Sequence, residues 1–127
     1  CLMMFRLDYP LYLGAQKIQK RALEVGFDWS SIVGVFEKID EELIELQTAR
    51  ADENSAAIRE EYGDLLFTIV SLGRHLGLDS EQALRLATQK FESRIETVNR
   101  LAKAQGIDLA IATDNEKNGL WDQAKAL

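Results

Sequence analysis

"KIDEELIEL" (residues 38–46) and, about four helical turns further on, "REEYGDLLF" (residues 59–67) each set carboxylates beside large apolar side chains. Around the first stretch Ile32, Phe36, Ile39, Leu43 and Leu46 recur at the spacing of one helix face. Around the second, Ile58, Tyr62, Leu65, Ile69, Leu72 and Leu76 do the same. This periodicity predicts two amphipathic helices, over about residues 31–50 and 56–76, each burying its apolar stripe. Acids at the edge of a buried stripe have two readings, solvated decoration or a metal site.

Working outward, "DYPLYLGAQKIQKRALEVG" (8–26) predicts a helix capped by Asp8, with Pro10 in its first turn and Gly26 at its end. "FDWSS" (27–31) is a connector, and "ADENSA" (51–56) a polar loop with Asn and Ser as capping candidates. After Gly77, Asp79 or Ser80 caps a long helix over about 80–105. Leu84, Ala87, Phe91, Ile95 and Val98 are expected to face inward from it, and Gly106 ends it. "NEKNGLWDQAKAL" (115–127) is read as a short last helix or a strap. The expectation is one all-α, four-helix-bundle-like domain over residues 1–127, with a core over 10–105 and the strap over 106–127.

Composition agrees. The 127 residues hold one proline and eight glycines, with 46% hydrophobic and 28% charged residues, enough for an ordinary globular core. The formal net charge of −6 argues against general binding to nucleic acid or to an anionic membrane. Runs such as "LLFTIV" (65–70) are too short to span a bilayer, and no signal-peptide pattern is seen. One cysteine excludes an internal disulfide and fits a cytoplasmic protein. One histidine removes most zinc sites.

At about 100° per residue, Lys38, Glu42 and Glu45 fall within an arc of about 60° beside the apolar stripe. On the next helix Glu61 borders its own stripe and Asp64 lies one step round. Thr68, Ser71 and His75 continue that polar strip. Should the two strips face each other, Glu42, Glu45, Glu61 and Asp64 converge. At about 5 Å, in a partly buried site, each pair of carboxylates repels by roughly 3 kcal/mol. A divalent cation reverses the sign, and an all-oxygen set suits Mg²⁺ or Mn²⁺. A di-iron bundle needs Glu-x-x-His, and Leu72 stands where that glutamate would be.

"VGFDWSSIVGVFEKIDEELIELQ" (25–47) with "EEYGDLLFTIVSLGRHLGLDSEQALRLATQKFESR" (60–94) closely resembles the MazG-type nucleoside triphosphate pyrophosphohydrolases. The match runs from about Ala15 to Lys125 and is most similar to the second of the two tandem domains in longer MazG proteins. The resemblance implies an all-α bundle that works as a homodimer or higher oligomer. It implies Mg²⁺-dependent hydrolysis of a nucleoside triphosphate to the monophosphate and pyrophosphate. Glu42, Glu45, Glu61 and Asp64 correspond to its metal ligands, and Lys38, Lys90, Arg94, Trp121 and Lys125 to its nucleotide-contacting residues. Many members carry Asn where this chain has Ser71, a shorter group with less reach toward a nucleotide.

The residues themselves place Lys90 and Arg94 four apart on one helix face, and Trp121 and Lys125 likewise if the tail is helical. Trp121 then either covers the core or stacks on a base. The expected chemistry is attack of a metal-activated water on the α-phosphorus, with Glu41 as the candidate base. The alternatives are a non-catalytic nucleotide-binding or regulatory helical oligomer, and a structural oligomer whose acids are solvent decoration.

Overall fold

The computed structural model describes residues 10–127, so the proposed Asp8 cap lies outside the described residues. They form five helices and, among them, no strand: α1 (Leu11–Glu24), α2 (Ile32–Ala51), α3 (Ser55–His75), α4 (Ser80–Gln105) and α5 (Asp114–Ala126). The chain is all-α, as expected. It divides into two compact units, up to Ala83 and from Leu84 onward.

In the first unit, α1 and α2 both pack on α3. Polar caps start the α2–α3 pair. Ser31 Oγ accepts from the Gly34 N–H at 3.5 Å, and Asn54 Oδ1 from the Ala57 N–H at 3.1 Å. The short turn between the two helices holds Glu53 at φ 53°, in the left-handed region. Helix α1 begins on Pro10, which offers no side-chain cap. Its end is satisfied from elsewhere, because Glu81 Oε1 accepts from the N–H of Tyr12 at 2.8 Å and of Leu13 at 3.4 Å. A carboxylate there answers both the orphan donors and the helix dipole.

The apolar stripes do not lie where periodicity alone puts them. Val35, Ala49 and Val70 are buried, together with Gln19, Glu42, Thr68 and Ser71. Phe36, Leu43, Tyr62, Ile69 and Leu76, all expected inside, remain 40–56% exposed. Leu84, Phe91 and Ile95 of α4 are exposed as well. A helix with two partly apolar faces buries one within its own chain, and period counting cannot tell which. The strip Thr68–Ser71–His75 is therefore turned inward, with Thr68 and Ser71 buried.

In the second unit, Val98 and Ala102 of α4 meet Leu120 and Ala124 of α5, with Leu101, Ile107, Leu109 and Trp121 packed around them. The tail is a true helix because Thr113 and Glu116 form a reciprocal capping box. Gly106, at φ 70°, ends α4 as expected.

Candidate metal and nucleotide site

Three carboxylates converge where α2 lies against α3. One oxygen each of Glu42, Glu45 and Glu61 falls within 4.8 Å of the others. The i, i+3 spacing stacks Glu42 over Glu45 on one face of α2, and the packing of α3 supplies Glu61. Glu42 is 3% exposed. Its Oε2 and the Oε2 of Glu61 are buried without a hydrogen-bond partner. Buried carboxylate oxygens are normally paired or bound to a cation, so these two orphans suit a metal.

The electrostatics show the crowding. The Glu61 carboxyl is pushed up to about 7, first by a hydrogen bond to Glu45 that only its protonated form can make, then by desolvation, then by Glu42. Lys38 offsets part of the charge, its Nζ lying 3.1 Å from Glu42 and 3.5 Å from Glu41. The hydrogen bond to Glu42 is the main reason the Lys38 ammonium is held above its ordinary range.

Asp64 is exposed and is not one of the three converging carboxylates; it stands one turn along α3 from Glu61. The side chain of Glu41 is 58% exposed and points to Lys38. In the second unit, the Arg94 guanidinium lies 5.8 Å from the centre of the Trp121 ring, and Phe91 packs on that ring at 5.6 Å. Lys90 and Lys125 are exposed, one turn from Arg94 and Trp121 respectively. Trp121 thus covers the local core and also presents a cation–aromatic face.

A second polar cluster was not foreseen from sequence. Arg74 donates to both oxygens of Asp28, at 2.8 and 2.7 Å, and from Nη2 to Ser71 Oγ at 3.3 Å. Ser71 is fully buried, with its hydroxyl facing Arg74. His75 Nε2 lies 3.5 Å from Asp28 and 3.3 Å from the Trp29 carbonyl. The one available signal was an acid in a short connector, which spacing rules do not pair with an arginine in a helix.

Residues 33–99 match the MazG nucleotide pyrophosphohydrolase domain, which is more than half of the chain, and the chain belongs to that family. It is 41% identical over 118 residues to the nucleoside triphosphate pyrophosphohydrolase of Escherichia coli (strain K12). It is 43% identical over 116 residues to the nucleoside triphosphate pyrophosphohydrolase/pyrophosphatase MazG of Thermotoga maritima. Each match covers 91% of this chain, and the chain spans 45% and 44% of those relatives' own lengths.

Proposed function

We propose that the chain hydrolyses nucleoside triphosphates to nucleoside monophosphates and pyrophosphate, by attack of water on the α-phosphorus. The observation that carries this reading is the Glu42–Glu45–Glu61 cluster with its two unpartnered oxygens, in a chain of this family. Glu42, Glu45 and Glu61 hold Mg²⁺ or Mn²⁺, and Asp64 completes the set from one turn along α3. Such an ion, when bound, neutralises phosphate charge and lowers the pKa of a coordinated water.

The chain's own residues do the rest. Lys38, tied to Glu42, is the cation within reach of a phosphate brought to the cluster. Glu41 takes the proton of the attacking water. In the second unit, Lys90, Arg94, Trp121 and Lys125 are the residues proposed for nucleotide contact, on the strength of the family resemblance alone. The exposed apolar side chains of Phe36 and Leu43 on α2 and of Tyr62 and Ile69 on α3 support self-association as a homodimer or higher oligomer, which would take them out of water. No helix among the described residues is long and apolar enough to cross a membrane.

The test is product analysis. Purified protein, Mg²⁺ and a panel of nucleoside triphosphates should release pyrophosphate and monophosphate. Release of single phosphate, or turnover unaffected by chelator, overturns the reading.

A further inference from the structure

The connector between α1 and α2 exposes two aromatic rings, yet it is held at three points. Asp28 is clamped by Arg74 through two hydrogen bonds. The carbonyl of Trp29 lies 3.3 Å from His75 Nε2. The indole of Trp29 rests on Gly34, where an added Cβ would come within 3.3 Å of Trp29 Cδ1. Despite these anchors Trp29 stays 38% exposed and Phe27 77% exposed. Phe27, Asp28 and Trp29 line a cleft of about 260 Å³. A ring fixed in place and left open to solvent forms a stacking surface whose ordering cost is already met before anything binds.

Its position points to the ligand. Gly34, Lys38, Glu42 and Glu45 share an arc of about 80° on α2, at about 100° per residue. The indole therefore sits at the N-terminal end of the helix face that carries the acidic cluster. Eight residues separate Gly34 from Glu42, a rise of about 12 Å, comparable with an extended nucleoside triphosphate. We infer that Trp29 is the platform on which the base of a nucleoside triphosphate stacks while its phosphates lie at Glu42, Glu45 and Glu61. This rests on the function proposed for that cluster. Asp28, Arg74 and His75 are positioning residues that hold the platform, and Gly34 is the small residue that lets the indole sit close to the helix.

The experiment compares two ligands by calorimetric titration in Mg²⁺: an α,β-methylene analogue of a nucleoside triphosphate, and inorganic triphosphate, which has no base. Trp29→Ala should weaken the nucleotide analogue by about tenfold and leave inorganic triphosphate within about twofold. Trp29→Phe should keep most of the affinity. Equal loss for both ligands, or no loss for either, overturns the inference while leaving the acidic-cluster reading in place. A wild-type chain that binds neither ligand overturns both. Should Trp29→Ala not fold, Trp29→Leu, which keeps apolar bulk and removes the stacking face, decides: wild-type affinity for the analogue overturns the inference.

Discussion

Arg74 grips Asp28 with two terminal nitrogens, at 2.8 and 2.7 Å, and both side chains are about nine-tenths withdrawn from solvent. The pair joins the α1–α2 connector to the last turn of α3. Removing one partner strands a buried charge, so Arg74→Met should cost about 3–5 kcal/mol in denaturant unfolding.

The same pair sets a pH dependence. Its hydrogen bonds from Arg74 hold the Asp28 carboxyl below the ordinary value of 3.8, against the opposing pull of burial. The folded-state pKa is thus lower than the unfolded one. The added stability is present above the unfolded value and is lost as pH falls through the folded one. Wild type should lose stability below about pH 4 more steeply than Asp28→Asn, by thermal melts across pH 3–7. Parallel curves would refute this.

Divalent cations should stabilise the protein. At a concentration of about one hundred times its dissociation constant, Mg²⁺ should add about 2.7 kcal/mol, seen as a higher Tm. Glu61→Gln removes one charge from three crowded acids. It should melt above wild type without metal, respond weakly to Mg²⁺, and lose turnover. A full Mg²⁺ response in Glu61→Gln would count against the cluster as a metal site.

Asp64 separates stability from binding. Being exposed and outside the trio, Asp64→Asn should leave the metal-free unfolding free energy within about 0.5 kcal/mol of wild type. Its Mg²⁺ affinity should fall if Asp64 completes the ligand set. Unchanged Mg²⁺ titration would remove it from the set.

Phe36 and Leu43 lie two turns apart on the exposed side of α2. Phe36→Glu should shift the chain toward monomer in sedimentation, because a charge placed in an apolar interface is left unpaired. A wild-type chain that sediments as a monomer would remove the basis for this expectation.

Helix positions were legible in the sequence because their ends carry local signals. Ser31, Asn54, Gly77 and Gly106 each mark a terminus by short-range chemistry, and the observed bounds fall within a residue or two of the periodic stretches. The Thr113–Glu116 box is equally local and makes α5 a helix, where the apolar pattern of 115–127 alone fits helix or strap. The convergence of Glu42, Glu45 and Glu61 was within reach of simple angular arithmetic on two neighbouring helices. The buried faces were not. Phe36 and Ile69 obey the helical period and stay exposed, while Thr68 and Ser71 go inside, because the choice between two faces is made by tertiary partners. Asp28–Arg74 spans 46 residues, beyond any spacing rule.

Glu81 caps α1 through the N–H of Tyr12, 69 residues before it. During synthesis, α1 must therefore wait, its leading amides open to water, until Glu81 has been made. A version of the protein cut short after α3 would keep every residue of α1 and still lack the group that finishes its start.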